Sequence, residues 1–183
     1  MTEKKNALLM DAQALAAALA RIADAIVKEM DGDPGLVIIG IRTRGVTLAN
    51  RLAALLKERL GREVPLGILD ITLYRDDLST LAEHPIVRPT TLPFDIDGKK
   101  IILVDDVIYT GRTIRAALDQ IVDFGRPRSV RLAALVDRGW REYPIQPDFT
   151  GMKTETRANQ LVQVRLSEID GEEKVMLLDL NGR

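Results

Sequence analysis

The chain has 183 residues, 46% hydrophobic and 29% charged, the make-up of one soluble globular domain with a substantial core. A formal net charge of −1 argues against nucleic-acid binding through overall charge, although a local basic patch stays open. There is no cysteine, which excludes disulfides and thiolate metal sites, and no apolar run approaches the roughly 18 residues that span a bilayer.

The opening MTEKKNALLMD lacks the apolar centre of a signal peptide, so a cytoplasmic protein without membrane contact is expected. Residues 11–30 predict an amphipathic helix: Leu15, Leu19, Ile22, Ile26 and Met30 share one stripe, and Asp11 can cap it. Gly32-Asp33-Pro34-Gly35 ends it. LVIIGI (36–41) is a short, wholly apolar run, the pattern of a strand covered on both faces. RTRG then turns the chain into a second helix, 46–60, stopped at Gly61. A second strand is expected over 64–74 and a third over 101–106. A helix over 112–123 is expected to point Ile114, Leu118, Ile121 and Val122 inward before Gly125 and Pro127 stop it. Residues 129–137 predict a fourth strand. Strands alternating with helices indicate a parallel α/β sheet flanked by helices. The tail adds LVQVRL (161–166) and KVMLLDL (174–180), with Asp170-Gly171 as a hairpin turn between them.

Residues 74–99 break this rhythm. They hold Pro85, Pro89 and Pro93, the acidic pair Asp76-Asp77 and the lone His84, with little periodicity. Such a connection is usually functional or disordered. It is expected as a hairpin or lid above the carboxyl ends of the strands, where α/β folds bind ligands. His84 has no partner at metal-ligand spacing, and an exposed loop histidine is the expectation.

The chemistry concentrates in VDDVIYTGRT (104–113). Asp105 and Asp106 end an apolar strand, and Tyr109-Thr110-Gly111-Arg112-Thr113 opens a helix. A helix N-terminus presents unpaired N–H groups and the positive end of its dipole, and so binds phosphate. Gly111 allows close backbone approach, and Thr110 and Thr113 add hydroxyl donors. The aspartates would repel that phosphate. They suit neighbouring hydroxyls of a ribose, or a nearby Mg²⁺ held directly or through water. An aspartate pair alone is most often a solvated acidic turn; the whole string, matched by a second loop, is not. That second loop is GIRTRG (40–45), where backbone amides with Arg42, Thr43 and Arg44 suit another anion. Two anion sites flanking a diol site describe a pentose carrying a 5′-phosphate and a pyrophosphate.

IILVDDVIYTGRT (101–113) resembles the phosphoribosyl-pyrophosphate (PRPP) motif of type I phosphoribosyltransferases. Together with GIRTRG, DITLYRDDL (70–78) and LVDRG (135–139), it is similar to the PyrR family, bacterial pyrimidine-operon regulators that are also uracil phosphoribosyltransferases. Tyr109 stands where enzymes for 6-oxopurines usually carry an aspartate, which argues against the remoter alternative of a purine enzyme.

The resemblance implies a single phosphoribosyltransferase domain over 1–183, with residues 70–99 as a hood and a C-terminal hairpin. It implies PRPP contacts from Thr43, Arg44 and Gly45 and from Val107, Ile108, Tyr109, Thr110, Gly111, Arg112 and Thr113. Asp105 and Asp106 would hold the ribose hydroxyls, and Arg75 would reach the leaving pyrophosphate. Uracil would sit against Val136, Asp137 and Arg138, walled by Leu161 and Val162. Mg²⁺ would travel with PRPP. UMP or UTP would favour binding to pyrimidine-operon leader mRNA, and a homodimer or homotetramer is expected.

The implied RNA surface is altered here. Ala20 and Asp24 stand where a hydroxyl and a histidine are expected, Gln146 replaces a common arginine, and Trp140 a common histidine. Arg141 and Lys153 keep their charge and are the expected RNA contacts. Trp140 equally suits base stacking or packing. Arg126, Arg128, Arg131, Arg138 and Arg141 make the region locally basic, as a binding face or as a solvated rim. A salvage enzyme without RNA regulation is therefore the second reading.

Overall fold

The computed structural model describes residues 6–30, 32–74 and 88–180. Strand β2 (Leu36–Ile41) is buried at every position, and the reason lies in its alternation. Leu36 and Ile38 pack in one apolar cluster, while Val37, Ile39 and Ile41 pack in another on the opposite face. β4 (Lys100–Ile108) and β5 (Ser129–Asp137) divide in the same way. With β3 (Leu66–Leu69) and β6 (Phe149–Lys153) they form a five-stranded parallel sheet in the order β3-β2-β4-β5-β6.

Helices α1 (Ala12–Met30) and α2 (Arg44–Leu60) cover one face. All five stripe residues of α1 are buried, and Asp11 caps it, its Oδ1 accepting the Ala14 N–H at 2.8 Å. Helix α3 (Arg112–Phe124) covers the other face through Ile114, Ala117 and Ile121. Each such fully buried Leu or Ile contributes roughly 1.5–3 kcal/mol. A second sheet, β1 (Ala7–Met10), β8 (Lys174–Asp179) and β7 (Gln160–Arg165), is antiparallel in the order β1-β8-β7.

Several expectations are corrected. The strand expected over 64–74 ends at Leu69 and gives way to a 3-10 turn over Thr72–Tyr74. The cause is Asp70, whose Oδ1 accepts from Thr72 N at 2.9 Å and from Thr72 Oγ1 at 2.5 Å, turning the backbone off the sheet. Val122 is 69% exposed rather than inward, because it lies past the edge of the 114–117–121 stripe. Asp170-Gly171 does not form a two-residue hairpin turn; β7 and β8 are joined through the short helix α4 (Ser167–Asp170), closed by Gly171 at φ 70°. Helix α2 begins two residues earlier than expected, and β1 and β6 were not expected. Among the described residues no helix is long and apolar enough to cross a membrane.

Candidate active site

The parallel register brings three strand ends together. Gly40 of β2 lies beside Val104 of β4, Asp105 beside Ala134 of β5, and Ile108 beside Asp137. Val107 and Ile108 therefore finish the strand, and the turn to α3 begins at Tyr109. A cavity of about 380 Å³ opens at this edge, with Arg42, Thr43, Asp70, Arg88, Asp105 and Asp106 in its wall.

Asp105 is 7% exposed and Asp106 half-buried. Asp105 Oδ1 accepts the Asp106 N–H at 2.9 Å, and Asp106 Oδ1 accepts the Val107 N–H at 2.8 Å. Burial, and next the neighbouring Asp106 charge, hold the Asp105 carboxyl well above the usual range. Burial also raises Asp106, against the Val107 N–H, Asp105 and the positive charge of Arg44. Adjacent carboxylates that the fold disfavours as anions are primed for hydroxyl donors or a cation.

The turn into α3 is tightly packed. Gly111 sits at φ 91°, and a Cβ there would come within 3.2 Å of the Tyr143 Cβ. The Thr110 carbonyl is pinned by the Glu142 and Tyr143 N–H groups at 2.9 and 3.0 Å. Arg112 pairs with Glu142. Residues Val107–Gly111, with Thr113 and Ile114, surround a small cavity of about 110 Å³ at the helix N-terminus.

The second loop abuts the aspartates. A Cβ on Gly45 would lie 2.5 Å from the Val104 carbonyl oxygen and 3.3 Å from the Asp105 Cα, so the approach of α2 to β4 requires glycine. The Arg42–Thr43 peptide is cis. Arg42 donates to the Pro89 carbonyl at 3.2 Å, while its buried Nε has no hydrogen-bond partner among the described residues. Arg44 Nη2 ion-pairs with Asp170 Oδ1 at 2.7 Å.

On the β5 side, Val136 is buried and packs in the same cluster as Val162; Leu161 is 41% exposed. Asp137 Oδ1 accepts from Arg141 Nη2 at 2.6 Å and from Gly139 N at 3.0 Å. Arg138, 4% exposed, lies over the Tyr109 ring at 3.9 Å and donates to Thr156 Oγ1 at 3.2 Å, while its Nη2 has no hydrogen-bond partner among the described residues. Burial lowers its pKa. Arg141 turns inward: besides Asp137 it donates to the carbonyls of Ile145 and Tyr109, both at 2.8 Å. Lys153 is exposed on β6, and Trp140 is 52% exposed with its Nε1–H on the Thr156 carbonyl at 2.8 Å. Arg131 ion-pairs with Glu29 and Asp148 at 3.2 and 2.8 Å, so part of the arginine cluster is a paired rim.

Asp70 and Arg88 were not expected in the site. Burial raises the Asp70 pKa, but hydrogen bonds from Thr72 and the Arg88 N–H outweigh it and leave the group lowered. DITLYRDDL pointed to the region without singling out Asp70, and nothing in the surrounding sequence marked Arg88. Arg75, Asp76, Asp77 and His84 lie outside the described residues.

The structure thus sets an acidic pair at the carboxyl edge of a parallel sheet, between two glycine-containing loops. The family model for the phosphoribosyl transferase domain matches residues 7–168. The hypoxanthine phosphoribosyltransferase of Trypanosoma cruzi superposes with a TM-score of 0.71 at 16% identity, covering 94% of this chain and 95% of that one. The hypoxanthine-guanine enzyme of Leishmania tarentolae, solved with GMP, gives 0.70 at 16%, covering 96% and 97%. At that identity the shared feature is the fold. Nearer in sequence is the bifunctional protein PyrR of Pelotomaculum thermopropionicum, 54% identical over 176 residues and covering 96% of this chain and 97% of its own. That of Thermus aquaticus is 53% identical over 177 residues, covering 97% and 98%. The chain belongs to the PyrR family of phosphoribosyl transferases.

Proposed function

We propose that this protein transfers a phosphoribosyl group from PRPP to uracil, forming UMP and pyrophosphate, and that it binds pyrimidine-operon leader mRNA in a manner governed by uridine nucleotide. The observation that carries the reading is the Asp105-Asp106 pair, one buried and one half-buried, set between the α3 N-terminus and the Arg42–Gly45 loop.

The 5′-phosphate is held by the amides of Tyr109–Thr113 and the hydroxyls of Thr110 and Thr113. The ribose hydroxyls donate to Asp105 and Asp106, which orients the anomeric carbon. Thr43, Arg44 and Gly45 receive the pyrophosphate, with Arg42 and Arg88 in the adjoining wall. Preorganised positive groups there favour the departing charge as the ribose becomes oxocarbenium-like. Uracil lies against Val136–Arg138 beside Val162, and its N1 attacks from the face opposite the leaving group. Arg75, in the hood of residues 70–99, is assigned to the leaving group by family resemblance.

Mg²⁺ fits this site. Both carboxyls are raised by burial, so a divalent ion alongside favours their ionised forms. When bound, it supplies positive charge to the diphosphate.

The RNA half rests on the bifunctional relatives and on the exposed Trp140 and Lys153. With Arg141 engaged by Asp137 and by the Ile145 and Tyr109 carbonyls, it contributes little to phosphate contacts, so the salt dependence of RNA binding is shallower than a free Arg141 would give. The test is one preparation with two readouts. UMP formation from uracil and PRPP is measured, and so is binding to the leader RNA with and without UMP across a salt series. Turnover together with UMP-enhanced binding is expected. Turnover without RNA binding above that of an unrelated RNA makes the protein a salvage enzyme. Absence of turnover overturns the catalytic reading.

A further inference from the structure

We propose that Asp170, far from the PRPP motif in sequence, is a positioning residue for the transferase reaction: it fixes the Arg44 guanidinium at the edge of the pyrophosphate subsite. This deepens the proposed function and rests on it.

The ion pair joins elements from different sheets. Arg44 opens α2 directly after the anion loop, and Asp170 closes α4 at the tip of the β7–β8 connection. Arg44 Nη2 meets Asp170 Oδ1 at 2.7 Å, with side chains 32% and 18% exposed. Asp170 is itself held rigidly, since its Oδ2 accepts the Leu166 N–H at 2.9 Å and its own N–H donates to the Leu166 carbonyl at 2.7 Å. An arginine placed by a fixed carboxylate loses little rotamer freedom when an anion arrives. The Arg44 Nε is buried and, among the described residues, has no hydrogen-bond partner, which leaves donor capacity on a guanidinium one residue from Gly45, where an added Cβ would lie 3.3 Å from the Asp105 Cα.

The obvious rival is a strap between α2 and the C-terminal hairpin. That strap exists separately. Arg51, two turns along the same helix face, pairs with Glu168 and Glu173, and Glu173 accepts the Ser167 N–H at 3.0 Å. The hairpin is thus fastened without Asp170, and the pair nearest the loop is left to serve the loop.

Three variants separate the roles. Asp170→Ala lowers kcat/KM for PRPP by roughly tenfold, the scale of one charge-assisted hydrogen bond, and leaves the KM for uracil unchanged. Asp170→Asn, whose amide oxygen can still accept from Arg44, retains activity within about threefold of the parent. Arg51→Leu lowers the Tm but leaves the KM for PRPP alone. Asp170→Ser gives the same readout as alanine should the alanine variant fail to fold. If Asp170→Ala loses Tm only, as Arg51→Leu does, the carboxylate is a strap and the proposal is overturned. If the parent itself makes no UMP, the transferase reading fails, and calorimetric titration with PRPP still decides whether Asp170 orients Arg44 toward a diphosphate.

Discussion

The double variant Asp105→Asn, Asp106→Asn loses nucleotide formation by at least about a thousandfold, the scale of removing preorganised groups that act on developing charge, and melts at a higher temperature than the parent at neutral pH. Both halves follow from the same burial. Each carboxyl has a folded-state pKa raised above its ordinary 3.8. The fold therefore favours the protonated form. That stabilisation is fully present below about pH 4 and is lost as pH rises through the raised folded-state value. At neutral pH two carboxylates remain in a place that disfavours them, and neutral amides relieve the repulsion. Each kcal/mol recovered raises the Tm of a domain this size by roughly 2–4 °C. Melting curves at about pH 7 and pH 3 check the sign: the difference between variant and parent shrinks toward zero in acid. Near-parental turnover would remove the aspartates from the site.

Gly45→Ala is the second large effect. The new methyl would sit 2.5 Å from the Val104 carbonyl oxygen, a backbone atom inside β4 that no rotamer change can clear. Helix α2 must therefore move away from the strand that carries Asp105. Overpacking of this kind costs about 1–3 kcal/mol. Displacing the anion loop by about 1 Å costs turnover roughly a hundredfold. Gly61→Ala at the other end of α2 is the control. Gly61 has φ 66°, and a Cβ there would meet no atom within 4 Å, so alanine costs about 1–2 kcal/mol of backbone strain and no activity. Equal activity losses in the two variants would show that general destabilisation, rather than loop placement, is being read.

The parts of this fold written in local chemistry were legible. LVIIGI and IILVDD announce buried parallel strands because both faces are covered, and the stripe of α1 with Asp11 as cap leaves one orientation. FTGMK of β6 was not legible. Its Thr, Gly and Lys carry no strand pattern, and it belongs to the sheet because Gly151 lets it lie against β5, where a Cβ would come 2.7 Å from the Leu135 carbonyl oxygen. The break after Leu69 depended on one side chain, Asp70, folding back onto Thr72. That the GIRTRG loop, the acidic pair and the turn into α3 meet at one sheet edge was readable, because each is a short contiguous run directly after an apolar strand. Partner choice was not. Arg44 with Asp170 and Arg141 with the Ile145 and Tyr109 carbonyls are products of tertiary placement.

The structure of the protein bound to UMP tests the central claim most directly. The phosphate should lie on the Tyr109–Thr113 amides, the ribose hydroxyls within hydrogen-bond reach of Asp105 and Asp106, and the base against Val136–Arg138. A nucleotide whose phosphate rests on the Arg42–Gly45 loop, with its ribose away from both aspartates, would contradict it.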